Sequence, residues 1–409
     1  MKRLAVLIGV LAWSAGPAGA DSVSDFALCN GLQGQANWHY GYTDGFYLGP
    51  DSFIPFPEDE GPGISATDFW TGTYWDWGGP GGNPPWTRMN ASTQHPDEDK
   101  TSVRRYVVPV DAVVDVTYTV ADAQTGSGNG ILGLVYAGGR QLASHDIAAN
   151  DTTGITNSLT AIPMRAGTAL DFVVNSKKAN SSYDNTTVTA TLTVTPADLG
   201  PAPTIVPVAD YRDDYQTGAP GAGWQYLWNK NGAIGNSANY AALLWDGSNR
   251  YDSDGVAGIP DPVPARYVHL NWGGGHPGQS GKSAIAAYTV TEDAAYGLTD
   301  AWVRVADSRS DGEDLFVYVN DTLVSQQYVW GAGGLSFPLD LGDLVAGDTI
   351  YVAMGPHGSD SYDAVNWDFT IAKLVPAPTS DVIPEPSTFL IWGLGVLGIG
   401  AGWRRRRTK

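Results

Sequence analysis

Cysteine is nearly missing from this chain: Cys29 is alone among 409 residues. No intrachain disulfide can form, and neither a thiolate zinc site nor an iron–sulfur cluster can be built. We expect Cys29 to be a small buried residue. Charge is sparse, at 16% of residues, and basic charge sparser: 23 Lys and Arg face 43 Asp and Glu, for a net charge of −20. Seven of those bases (Lys2, Arg3, Arg404, Arg405, Arg406, Arg407 and Lys409) sit at the two ends, leaving 16 against the 43 acids in between. Such a surface repels phosphate backbones, which excludes nucleic acid as a partner. Hydrolase signatures are missing too: there is no Gly-x-Ser-x-Gly and no His-Glu-x-x-His. The stretch GGGHPGQSGKS (273–283) fails as a phosphate loop, because His276 stands where the first glycine is required. The repeated His-Pro at 95–96 and 276–277 reads as a turn before a strand.

Helical periodicity is also scarce outside the ends. What is abundant is Gly (51), Pro (26), Trp (15) and Tyr (20), a mixture that favours short strands and tight turns. Runs such as VVDVTYTV, LFVYVN, DTIYVAM and TVTATLTV alternate with period 2 and are rich in Val, Thr and Tyr. The sequence repeats itself once. GQANWHYGY pairs with GAGWQYLW, RMNASTQHP with HLNWGGGHP, and KTSVRRYVV with KSAIAAYTV. NGILGLVYAGG then pairs with GEDLFVYVND, AGTALDFVV with AGDTIYVAM, and SYDNTTV with SYDAVNW. Six blocks in one order, about 180 residues apart, imply a duplicated domain and not a solenoid. The expected fold class is all-β: two tandem homologous jelly-roll-like β-sandwiches over 21–197 and 208–374, with a Pro-rich linker at 198–207 and another at 375–383. The triplets Trp38, Tyr40, Tyr42 and Trp224, Tyr226, Trp228 each put three rings on one strand face, which we assign to the core.

The ends carry addresses. Residues 1–20 run from a basic start through an apolar middle to Ala18-Gly19-Ala20, a secretory signal with cleavage expected after Ala20, by signal peptidase. Residues 384–409 read PEPSTFLIWGLGVLGIGAGWRRRRTK. An uncharged apolar run at 388–403 is expected to span the inner membrane as a helix, slightly short for a bilayer, with the basic cluster at 404–409 cytoplasmic. Pro-Glu-Pro, apolar helix and basic cluster, in that order at the terminus, closely resemble the PEP-CTERM sorting signal. The resemblance implies that Pro384, Glu385 and Pro386 are recognised by an exosortase, with Arg404 to Arg407 as the stop. It also implies a chain held transiently at the inner membrane before release to the cell surface or the exopolysaccharide matrix. A permanent anchor is the plainer alternative.

Candidate ligand residues are the aromatics in Gly-, Pro- and Asn-rich loops: Trp70, Tyr74, Trp75, Asp76, Trp77 and Trp86 in the first copy, and Trp245, Asp246, Tyr251 and Trp272 in the second. Trp75-Asp76 and Trp245-Asp246 align across the repeat. A flat ring stacks on a sugar's C–H face while a neighbouring Asp or Asn accepts its hydroxyls, as in the jelly-roll carbohydrate-binding modules that the repeats broadly resemble. The alternative is that these rings plug the sandwich ends. YDSDG (251–255) places Asp252 and Asp254 as candidate ligands of a structural calcium, although Arg250 stands where a full calcium loop begins. No other cofactor is expected. The expected function is non-catalytic polysaccharide binding. The alternatives are a polysaccharide-cleaving hydrolase or lyase, for which the sequence supplies acids but no recognisable pair, and a purely structural matrix protein.

Overall fold

A computed structural model of the chain describes residues 17–376 apart from 45–46, 48, 59–69, 78–86, 127, 178–180, 257–266, 308 and 330–333. Of the described residues, those from 17 to 200 and from 205 to 375 form one compact unit. The signal segment up to residue 16, Trp86 and the whole sorting tail lie outside the described residues. Among the described residues no helix is long and apolar enough to cross a membrane.

The fold is all-β, and the duplication is visible strand by strand. In the first half one sheet runs in the order Arg140–Ile147, Ile131–Ala137, Ala169–Asn175, Lys100–Val107, Trp38–Asp44, Ile54–Pro55. In the second half the corresponding order is Thr322–Val329, Glu313–Val319, Thr349–Pro356, Ala284–Thr289, Trp224–Trp228, Ala241–Ala242. The facing sheet of the first half runs Ile155–Met164, Ala112–Asp122, Thr186–Pro196, Thr93–His95, Arg88–Met89, Trp75–Asp76. Its counterpart contains Ala294–Val305, Val365–Val375, Gly274–His276, His269–Asn271 and Arg250–Asp252 in the same succession, extended by Leu244–Trp245. Registers agree as well: Trp38 lies opposite Tyr106, and Trp224 opposite Tyr288.

The aromatic triplets are core residues, as expected: Trp38, Tyr40, Tyr42, Trp224, Tyr226 and Trp228 are all buried. Cys29 is fully buried. Ala18–Asp21 is an edge strand on Thr186–Pro196, and Thr204–Asp210 occupies the same place on Val365–Val375. The segment from Thr204, assigned to the linker, is therefore strand. Each edge strand ends in the same clasp: Asp21 N–H donates to Asp25 and Asp210 N–H to Asp214, and these acids accept from the Trp38 and Trp224 indoles. DSVSD and DYRDD are thus a seventh repeat block that sequence comparison passed over.

Ile131–Ala137 is buried on both faces, which is why ILGLVYA shows no alternation. Ile131 and Val135 enter the first sandwich core. Leu132, Leu134 and Tyr136 point the other way and join Tyr47, Val173, Val329 and Leu335 in one cluster that spans both halves. Arg105 lies on that outward face and makes a bidentate pair with buried Asp171, at 2.7 and 3.0 Å.

Candidate functional site: a polar groove in the first half

The hairpin Arg88–Met89/Thr93–His95 is built by its own sequence. Asn90 Oδ1 accepts from the Ser92 and Thr93 N–H groups, an Asx turn that closes MNAST. From below, fully buried Arg104 donates to Asn90 O, Ala91 O and Ser22 O at 2.6, 2.7 and 3.0 Å. Burial pulls its guanidinium down to about 10. The second half secures the matching hairpin differently. Strand register puts Ala286 in place of Arg104, and the Tyr211 hydroxyl donates to Asn271 O and Gly274 O instead. Tyr211 itself follows the clasp aspartate, where the first half has Ser22. A large–small pair has thus been exchanged for a small–large pair around one turn. Replacing Arg104 with methionine strands three carbonyls, and we expect a loss of about 2–4 kcal/mol in a urea denaturation midpoint experiment. A change below about 0.5 kcal/mol would contradict this.

Across from the hairpin lies the segment SYDN. Tyr183 is 44% exposed with φ 68°, and its repeat counterpart Tyr362 is 47% exposed with φ 71°. A bulky side chain in left-handed backbone is costly and persists only where the surroundings enforce it. Here it occurs twice at one position. Each ring is also backed from below. A Cβ on Gly126 would lie 2.3 Å from the Tyr183 ring, so the glycine lets the ring rest on backbone. By strand register Arg309 takes that place in the second half, its guanidinium 3.8 Å from the Tyr362 centroid and itself held by Asp307.

Between hairpin and SYDN segment opens a groove of about 640 Å³, within the range of small-ligand sites. Tyr74 and Tyr183 supply ring surface; Arg88, Asn90, His95 and Gln124 supply polar edges. His95 Nδ1 is 2.6 Å from Pro96 O, and burial holds its imidazole below the ordinary range, hence neutral at pH 7. Arg88 is paired with buried Asp76 at 3.0 Å. Among the described residues no carboxylate lines the groove. The arrangement offers ring faces and neutral donors and acceptors to a hydroxyl-rich ligand.

Of the loop residues picked from the sequence, Tyr74 lines this groove, and none of the other described ones does. Trp75 is fully buried and stacks on Phe56 at 5.9 Å; Tyr251 is buried and donates to Gln216 O. Both are core rings, closed to a ligand, because each sits on a short strand whose side chain turns inward. Trp77 is half-buried beneath Lys100, 4.6 Å from its ring, and Trp245 is half-buried against Tyr251. Trp272 alone is well exposed, at 59%, beside Arg212. The repeat alignment of the Trp-Asp pairs also shifts. Trp75 and Asp76 face Met89 and Arg88, while Tyr251 and Asp252 face Leu270 and His269. Trp75-Asp76 therefore corresponds to Tyr251-Asp252, and Trp245 to Trp70.

The candidate calcium acids are engaged in turns. Asp252 accepts from Gly255 N–H and pairs with Arg250, and Asp254 accepts from Val256 N–H. Asp246, though burial opposes its charge, takes three backbone N–H bonds from residues 248–250, which hold its carboxyl below the ordinary range. Among the described residues no three His, Cys, Asp or Glu side chains are already placed to hold one metal ion.

Residues 382–407 match the PEP-CTERM protein-sorting motif. The chain is thereby marked as an exported protein, sorted to the cell surface or extracellular space. Among curated proteins none matches the sequence. Solved structures with similarity include the tandem CBM51 modules of a family 98 glycoside hydrolase from Streptococcus pneumoniae. That likeness has 11% identity and a TM-score of 0.21, and it covers 72% of this chain and 87% of that one. PNGF-II is similar at 8% identity and TM-score 0.26, covering 70% and 61% of the two chains. The M60 catalytic domain with two CBM51 domains from Clostridium perfringens ZmpB is similar at 12% identity and TM-score 0.20, covering 69% and 34%.

Proposed function

We propose that this chain is a non-catalytic polysaccharide-binding protein of the cell surface or exopolysaccharide matrix, and that the groove of the first half is its main site. The observation that carries the reading is the doubled tyrosine: Tyr183 and Tyr362, both exposed, both in left-handed backbone, both supported from beneath. A ring fixed this way costs little entropy to dock against a sugar face. Among the described residues the groove contains no carboxylate, and the one charged group lining it, Arg88, is already paired, so uncharged sugar units suit it best. The sorting tail supports the setting. On this reading an exosortase processes Pro384-Glu385-Pro386 after signal peptidase has acted, and 388–403 holds the chain only transiently at the inner membrane.

Affinity electrophoresis of the secreted chain through gels containing neutral polysaccharides tests it. Retardation by at least one neutral glycan is expected. Tyr183→Ala should weaken it about tenfold or more, equal to about 1.4 kcal/mol, whereas Tyr183→Phe should keep most of it. Adding Tyr362→Ala should weaken it further, because two linked sites bind one polymer with avidity. Normal retardation of the double alanine variant would refute the site. Release of reducing ends or unsaturated products, lost in His95→Ala, would replace binding with cleavage.

A further inference from the structure

The two halves are built alike around one buried aspartate, but they surround it with different charge. In both, the SYD segment delivers this residue to the same register position: Asp184 in the first half and Asp363 in the second, 1% and 0% exposed. Both oxygens of Asp184 and Oδ2 of Asp363 have no hydrogen-bond partner. Strand register pairs Ile131 with Glu313, and counting on from the strand ends pairs Asn129 with Asp311 and Lys177 with His357; counting back from the shared aspartate pairs Ser181 with Asp360. Three neutral residues have become acids, and the one ammonium has become an imidazole.

In the first half burial and then the Asp122 charge raise Asp184 to about 7, and the Lys177 charge opposes them; Ser181 donates to the Asp97 carboxylate and Asn129 to Ser176 O. In the second half Glu313 is fully buried, and neither of its carboxylate oxygens has a partner. Asp363 Oδ1 accepts from the Ser310 hydroxyl at 2.7 Å, and that hydroxyl accepts from Gly312 N–H at 2.9 Å, so Asp363 lies against the turn that leads into Glu313. Asp360 Oδ2 is a further buried oxygen without a partner. The imidazole of His357 is turned to Asp314. Buried carboxylates are ordinarily paired or bound to metal, because an unpaired charge in low dielectric is too costly.

We infer that the second half binds a hard divalent cation of the calcium type at Glu313 and Asp363, with Asp311 and Asp360 beside it, a site the first half has no counterpart for. Calcium takes six to eight oxygens and accepts backbone carbonyls and water among them, so the Glu313 and Asp363 carboxylates are its two acidic ligands, Asp311 and Asp360 add negative charge from further out, and no third acid need reach the ion. A cation here is also a conformational device. Asp363 directly follows Tyr362, so an ion that fixes the carboxylate fixes the loop presenting the ring. Asp311 Oδ2 accepts from Ser359 N–H; what sets the site apart from the Asp252–Asp254 turn, whose carboxylates are spent on backbone and Arg250, is Glu313, with both buried oxygens unpartnered.

The first half supplies its own control. In the full secreted chain, calcium is titrated by calorimetry, and thermal unfolding is followed in calcium and in EDTA. Calcium should raise the melting temperature by about 5 °C at saturation, and bound terbium should give aromatic-sensitised luminescence. The variant Asp311→Asn/Glu313→Ile/Asp360→Ser, which installs the first half's residues, should fold with unchanged circular dichroism and lose both responses. Asp254→Asn should keep them. Should the multiple variant not fold, Glu313→Gln alone must still weaken calcium binding at least tenfold. An unmodified chain whose melting is the same in calcium and EDTA would overturn the inference and leave Glu313 a protonated acid. So would a calcium response that survives in the multiple variant or disappears in Asp254→Asn. Glycan retardation through the first-half groove is read separately, so either result stands without the other.

Discussion

Arg105→Met is expected to destabilise the chain by about 3–5 kcal/mol, seen as a shift of its urea midpoint. Arg105 stands on the outward face of the first-half sheet, where most of its side chain is covered. Its guanidinium grips both oxygens of fully buried Asp171, donates to Pro50 O at 3.1 Å and lies 4.1 Å from the Phe53 ring. The Tyr47 hydroxyl also donates to Asp171. Methionine keeps the stem but leaves the carboxylate with a phenol as its only side-chain donor, and stranding a buried charge costs far more than the pair itself contributes. Register places Ala287 and Tyr351 at these positions in the second half, so the fold has no general need of the pair. Arg105→Met with Asp171→Leu should accordingly recover much of the loss. A single-variant effect below about 1 kcal/mol, or a double variant worse than the single, would contradict the account.

The second large effect is on pH dependence. Asp184 and Asp363 are each raised to about 7, by burial first and then by neighbouring acids. In the unfolded chain both titrate near 4. Between those values the native state binds more protons than the unfolded one, so this contribution falls as pH rises through 7. Burial works the opposite way on the histidines. His269 is pulled down to about 4, and His95, His39, His145 and His276 are lowered too. The native state binds fewer protons there, and stability is lost as pH falls below about 6.5. In EDTA the two carboxylates should therefore take about 1–2 kcal/mol from the stability between pH 6.5 and 8, offset by what the histidines regain. Asp184→Asn should remove about half of that carboxylate loss, so its melting temperature should gain on the unmodified chain's as pH rises from 6.5 to 8. Profiles of the two chains that run parallel over this interval would contradict these directions.

Much of the architecture was legible because duplication prints the same constraints twice. Strand alternation and six matched blocks were enough to pair the halves, and period-2 triplets put six rings in the core where they lie. The Trp-Asp pairing misled because Trp75–Asp76 and Leu244–Trp245 are two-residue strands, too short for alternation to fix a register. Identity of residue type then substituted for position, and buried Trp75 passed for a surface ring. Arg104 and Tyr211 were missed as equivalents because one lies within a central strand and the other in the turn after an edge strand, and the two correspond only in the hairpin they secure. Tyr183 and Tyr362 were visible as repeated letters, yet nothing in a tyrosine codon announces positive φ. The signal was present all the same: SYD is kept in both copies, while much around it has changed.

The most direct test of polysaccharide binding in the first-half groove is a map of backbone amide shifts on titrating the chain with a neutral oligosaccharide that the electrophoresis selects. The account predicts perturbations concentrated at residues 88–95, 124–126 and 182–185, with a smaller set around Tyr362. Shifts confined to Trp272 or scattered over the surface, with 88–95 and 182–185 unmoved at saturating sugar, would contradict it.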